Sequence, residues 1–274
     1  TRVGPQRQAV GLSQAFPWFG TLALRRDAAA RTARAAGARF EAERRRLALE
    51  VKRAWFDYYY LGRSIAVTGD NVRLLKLIEG VVRVRFKAAG AEHPDLLRVQ
   101  IELGKLDDRL ASLEDMQTAT RARLNALLNR KAEAELALPE SLSPPAIEAD
   151  YETLRARLPR DNPELVALAF EIESRRTKAE LAGKAFWPDV TVGVDYIDVG
   201  TSTGGRNPED DGKDAWSAMV SVNLPVWREQ YRAEQKRRRL EAMASRQSRA
   251  DRVNALSARL QRDLYDYRDA RRRI

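Results

Sequence analysis

The 274-residue chain contains no cysteine, one histidine and no stretch approaching the roughly 18 consecutive apolar residues that a membrane-spanning helix requires. Without cysteine there is no disulfide framework, thiolate metal site or cysteine nucleophile; the lack is compatible with an oxidising compartment without indicating one. With His93 as its only imidazole the chain cannot build a Ser-His-Asp triad or a multi-histidine metal centre, and it has no G-x-x-x-x-G-K-[ST] phosphate loop. Nothing in this inventory points to an enzyme or a cofactor. Aromatic residues are only 7%, and a mean hydropathy of −0.52 is too polar for a helical membrane protein. An apolar fraction of 44% is too high for a disordered chain. The N-terminus, TRVGPQRQAV, lacks the apolar core of a signal peptide, so an exported form is expected to have lost its leader.

What the chain does have is charge and helix-forming residues. There are 49 Lys plus Arg against 39 Asp plus Glu, a net +10, and Ala, Leu, Arg and Glu are its commonest residues. Basic runs at 44–46, 236–239 and 271–273 raise the question of nucleic acid. Acidic residues are interspersed along the same segments, which reads as the solvated face of long helices rather than a phosphate track. No nucleic-acid partner is expected.

Periodicity divides the chain. Residues 1–17 form a strand segment in which Val10, Leu12 and Phe16 share a face and Pro17 ends the run. Residues 18–130 read as a very long helical hairpin. Spacings of three and four carry Phe40, Leu47, Val51, Ala54, Tyr58, Leu61, Ile65, Val72, Leu75 and Val82, turn at AAGAEHPD, and resume at Leu96, Val99, Leu103 and Leu106. Apolar residues off this seam (Leu74, Leu77, Ile78, Val81, Val84) indicate neighbours on both sides. Prolines 139, 144, 145 and 159 mark 131–163 as a connecting region. A helix follows over 164–187, with Asn162 as N-cap and Pro163 at its first position. At Pro188 the period becomes two, and 188–224 reads as a β-hairpin. Val190, Val192, Val194 and Tyr196 share one face of its first strand, and Trp216, Ala218, Val220 and Val222 one face of its second. Segments of about ten residues, apolar on one side only, fit membrane strands facing lipid; a soluble hairpin packed on a helix is the alternative. Residues 225–274 begin another long helix.

The chain also repeats itself. Phe16-Pro17-Trp18 resembles Leu224-Pro225-Val226-Trp227, each a strand-to-helix hinge. From Trp18 and Trp227 onward, 48 positions align at an offset of 209 with nine identities, among them Leu47 with Leu256, Asp57 with Asp266 and Tyr58 with Tyr267. If each copy consists of two strands feeding a helical hairpin, the first copy lacks a strand and the second stops partway along its helix. The chain is then a fragment or the ordered part of something longer.

A repeat of helix, strand, strand and very long helical hairpin resembles the TolC family of outer-membrane efflux proteins, particularly those serving cation and drug pumps. The resemblance rests on NPEL at 162–165, FWPDVTVGVDY at 186–196, LPVW at 224–227, FPW at 16–18 and RFKAAGAEHPDLLRVQIEL at 85–103. It implies a mainly α fold with a small β part: long antiparallel helical hairpins in a periplasmic α-barrel, and strands contributed to a shared trimeric β-barrel in the outer membrane. It further implies a homotrimer that conducts metal cations or drugs outward, docked to a periplasmic adaptor protein and an inner-membrane pump, in contact with outer-membrane lipid. The hairpin tip facing the adaptor corresponds to Ala89, Gly90, Ala91, Glu92, His93, Pro94 and Asp95. This tip departs from the family pattern, with His93 at the position of a serine or threonine and Asp95 one residue early. Three strands also cannot close the family's barrel as its four per subunit do. The alternative from another class is a soluble periplasmic coiled-coil adaptor or scaffold. His93 beside Glu92 and Asp95 suggests a metal ligand set only weakly, since one imidazole and two carboxylates in a turn more often form a solvated loop. Trp18 and Trp227 are candidate membrane-interface aromatics or ordinary packing anchors.

Overall fold

The computed structural model describes residues 4–88, 93–142, 146–202 and 209–273. Among these described residues eight elements follow in order: β1 (Gln6–Phe16), α1 (Thr21–Lys87), α2 (His93–Leu127), α3 (Tyr151–Asp161), α4 (Pro163–Lys184), β2 (Asp189–Val199), β3 (Ala215–Asn223) and α5 (Arg228–Arg273). They divide into two compact units, residues 1–41 with 149–274, and residues 42–148.

In the first unit α4 lies between the start of α1 and α5, and polar side chains join it to both. Toward α1, the Ser174 hydroxyl donates to the Ala28 carbonyl at 3.1 Å and lies 2.9 Å from the Thr32 hydroxyl. Arg31 donates to Glu173 at 2.8 Å, and Arg39 pairs with Glu171. Burial pushes the Glu173 carboxyl up, but the hydrogen bonds and charges of Arg176 and Arg31 outweigh it and hold the group below its ordinary range. Toward α5, Arg252 pairs with Glu164 at 2.7 Å and Arg175 hydrogen-bonds Ser245. Leu165 and Ala167 on α4 and Ala242 on α5 are buried. Alanine at 167 and 242 lets the helices approach closely around Leu165, leaving the polar pairs to fix their register. The start of α4 follows its sequence: Asn162 Oδ1 accepts from the backbone N–H groups of Glu164 and Leu165, and Pro163 stands at the first helical position, where no N–H is needed.

The segment 131–163, read above as a connection, contains α3. Asp150 caps it by accepting from the Thr153 N–H at 2.8 Å. Pro159 falls two residues before the end of this 11-residue helix, so it hastens a termination rather than interrupting a long ladder.

In the second unit α2 runs antiparallel to the adjoining part of α1. Gln100 reaches Glu79 at 3.3 Å near one end, and Ala54 and Tyr58 bury against Leu124 near the other. The chain leaving α2 turns at Asn129, whose φ is +54°, and folds back onto the helix pair. Fully buried Asn125 donates to the carbonyls of Ala132 and Ala134 at 3.0 and 2.7 Å, and the Tyr58 hydroxyl donates to Leu136 at 2.9 Å. Farther along α1, Leu74, Leu77, Ile78, Val81 and Val84 are exposed, a heptad-spaced apolar seam on a 67-residue helix.

Candidate functional site

The three strands form one antiparallel sheet in the order β1-β2-β3. Val190, Val192, Val194 and Tyr196 pair with Val222, Val220, Ala218 and Trp216 on one side, and with Phe16, Gln14, Leu12 and Val10 on the other. In an antiparallel sheet directly paired residues project to the same face. All eight apolar strand positions expected from the sequence therefore lie on a single face, extended by β1 and interrupted only by Gln14. That face is uncovered: Leu12 is 81% exposed, Trp216 73% and Val220 70%. A residue of that size is ordinarily buried against another layer, and among the described residues no helix supplies one.

The opposite face carries mostly small and polar residues, Ser13 and Gly11 on β1, Gly193 and Asp195 on β2, Ser217 and Ser221 on β3, with Met219 opposite Gly193 as a large apolar exception. Ser217 donates to Asp195 at 3.2 Å. Gly11 sits opposite Asp195, where an added Cβ would lie 2.2 Å from the Asp195 oxygen, so the lack of a side chain makes room for the carboxylate. Strands of 11, 11 and 9 residues have the length of a tilted membrane strand.

Two hinges join the sheet to long helices. At Pro17-Trp18 the Trp18 N–H donates to Asp189 Oδ1 at 2.9 Å, the Thr21 N–H donates to the Trp18 carbonyl at 3.0 Å, and Gly20 turns the chain with φ +80°. The Trp18 indole stacks on Trp187 with centroids 4.8 Å apart and planes 9° from parallel. At Pro225-Trp227 two successive three-residue turns close, Val226 N–H to the Leu224 carbonyl (2.9 Å) and Arg228 N–H to the Val226 carbonyl (3.0 Å). Trp227 is 80% exposed there. Trp187 and Asp189 were not singled out from sequence. Their signal was the aromatic-Pro-Asp stretch at 186–189, whose partner lies some 170 residues away.

Of the expected hairpin tip, Ala89, Gly90, Ala91 and Glu92 lie outside the described residues. His93, Pro94 and Asp95 form the first turn of α2 rather than a turn between helices. Proline is tolerated in that turn because its missing N–H has no helical partner, and Asp95 complements the positive helix end. The His93 ring lies 5.5 Å from Phe86. Among the described residues no group of three or more His, Cys, Asp or Glu side chains is placed to hold a metal ion, and no helix is long and apolar enough to cross a membrane.

No family model matches the sequence, and no curated protein matches it. Solved structures match closely in shape. The outer-membrane channel OprN superposes with a TM-score of 0.79 at 19% identity, over 96% of this chain and 60% of that one. The outer-membrane protein VceC from Vibrio cholerae gives 0.73 at 15% identity, over 96% of this chain and 62% of its own. CusC, described in connection with transmembrane channel formation, gives 0.76 at 13% identity, over 100% and 67%. The chain thus spans about three fifths of the length of the first two. Long helices, a three-stranded sheet with one bare apolar face, and these superpositions together show that the chain has the fold of the TolC-family outer-membrane efflux channels.

Proposed function

We propose that the chain is part of a subunit of an outer-membrane channel that conducts substrates out of the cell within a tripartite efflux pump. The observation that carries this reading is the uncovered apolar face of the sheet, with mostly small and polar residues behind it. A lipid-facing exterior and a hydrated interior require that alternation. In this reading Val190, Val192, Val194, Tyr196, Trp216, Ala218, Val220 and Val222 face outer-membrane lipid, and Trp18 and Trp227 mark the level where strands give way to periplasmic helices. Strands in a bilayer must close into a barrel to satisfy their backbone, and three cannot do so alone, which supports assembly as a homotrimer with shared strands. The exposed seam from Leu74 to Val84 gives a second reason for neighbouring helices. Residues 18–130 then belong to the periplasmic α-barrel, and the tip at 89–95 faces the adaptor protein that links the channel to an inner-membrane pump. Metal cations or drugs are the substrates.

The test is fractionation of the complete protein. Wild type is expected in the outer-membrane fraction as a detergent-stable trimer. Arginine at Val192, Val194, Val220 and Val222 is expected to abolish membrane assembly, since each arginine near the bilayer midplane costs about 2–4 kcal/mol. Recovery of wild type as a soluble monomer, or normal assembly of the fourfold variant, overturns the reading.

A further inference from the structure

Where β1 gives way to α1, a cleft of about 540 Å³ opens between the first turn of α1, the end of α4 and the start of α5. Its charge is unbalanced. Arg25, Lys178 and Lys184 line it and have no carboxylate partner among the described residues. The cleft's two carboxylates are already engaged, Asp189 with the Trp18 N–H and Glu234 with Arg237 and Arg238. The first turn of α1 contains no acidic residue, so the positive end of that helix is uncompensated from within. Lys184 adds to this: its Nζ lies 3.7 Å from where a Cβ on Gly20 would stand, placing an ammonium against the helix end where an anion is favoured.

An independent feature marks the same place. Thr21, the first residue of α1, lines the cleft and is only 6% exposed, and its Oγ1 has no hydrogen-bond partner among the described residues. A buried hydroxyl is ordinarily paired, so an unpaired one beside three cations without carboxylate partners is suited to an acceptor brought by a ligand. A tetrahedral oxyanion supplies several acceptor oxygens at once, which a helix N-terminus, a hydroxyl and flexible cations can share. The cleft is large enough for more than a bare ion, and Trp187 on its wall is half exposed.

We propose that this cleft binds a phosphate-bearing anion through the head of α1, Thr21, Arg25, Lys178 and Lys184, and that the anion is the headgroup of an acidic phospholipid. The site stands on its own geometry; the lipid source rests on the outer-membrane reading, which puts the hinge at headgroup level.

The complete protein in neutral detergent tests it with two probes, inorganic phosphate by calorimetry and phosphatidylglycerol by native mass spectrometry. Wild type is expected to bind both. Arg25→Gln with Lys184→Gln is expected to weaken both about tenfold, Thr21→Val about threefold, and Lys184→Arg is expected to retain binding. The trimer content and melting of each variant are compared with wild type, so that loss of binding is separated from loss of fold. Binding of phosphate without the lipid overturns the lipid source. Binding of neither probe by wild type, or unchanged binding by the double variant, overturns the site. Fractionation of the same samples separates the two ideas. Outer-membrane trimers that bind neither probe remove the site and leave the channel reading. A soluble monomer that still binds phosphate removes the channel reading and leaves the site.

Discussion

The two hinges share a strand, a proline, a tryptophan and a following basic helix, yet they are held by different forces. At the first, Trp18 is half-buried on Trp187 and its N–H is taken by Asp189, while the first turn of α1 has no acidic residue. At the second, Trp227 projects into the open, and the start of α5 is held by ion pairs within the helix: Glu229 with Arg232, and Glu234 with Arg237 and Arg238. A repeated sequence thus repeats the strand-to-helix junction without repeating either its turn hydrogen bonds or its tertiary support. Aromatic stacking and a part-buried backbone hydrogen bond respond little to salt, whereas exposed pairs are screened by it, so the hinges should respond to different perturbations.

The largest contrast is expected from the tryptophans themselves. Trp18→Ala should cost about 2 kcal/mol, roughly half of what a fully buried tryptophan costs, whereas Trp227→Ala should stay within about 0.5 kcal/mol. Equilibrium urea unfolding in neutral detergent, followed by far-UV circular dichroism, measures both. Equal costs would mean that the second hinge has a partner not visible in this chain. Next in size, Asp189→Ala should cost about 1 kcal/mol by leaving the Trp18 N–H without its acceptor, and Asp189→Asn should recover most of it, because the amide oxygen still accepts.

The smallest effect concerns acid at the second hinge. Hydrogen bonds from Arg237 and then Arg238 lower the Glu234 carboxyl from its ordinary 4.5 to about 2. A depressed carboxylate stabilises the folded state fully above its ordinary value, and the contribution is lost as pH falls through the folded value. The start of α5 should therefore hold above pH 4.5 and loosen progressively toward pH 2. Carbon-detected NMR titration of the Glu234 carboxyl checks this; a midpoint at the ordinary value would show that the arginine pairs do not form in solution.

Much of the fold was readable because its signals are local. Period-two alternation in 190–196 and 216–222 placed eight residues on one face, and Asn162-Pro163 announced the start of α4. The helix α3 was missed because four prolines between 139 and 159 read as breakers. Its start signal, Asp150 followed by Glu152, was present, and a proline near a helix end breaks little. His93 to Asp95 were read as a turn because Gly90 and Pro94 frame them, although proline belongs equally well in a first helical turn.

Of the hinge region, Pro17, Trp18, Pro225 and Trp227 were legible as a repeated motif. The pairing of Trp18 with Trp187 and Asp189 was not, and neither was the cluster of Thr21, Arg25, Lys178 and Lys184 around one cleft. The sequence by itself determined the period, length and polarity of each element, because backbone geometry converts spacing directly into a face. Only the tertiary structure decided which faces remain bare, which tryptophan is stacked and which cations lack a partner. Those outcomes depend on contacts between segments 150 or more residues apart, and one sequence carries no record of which distant segment arrives.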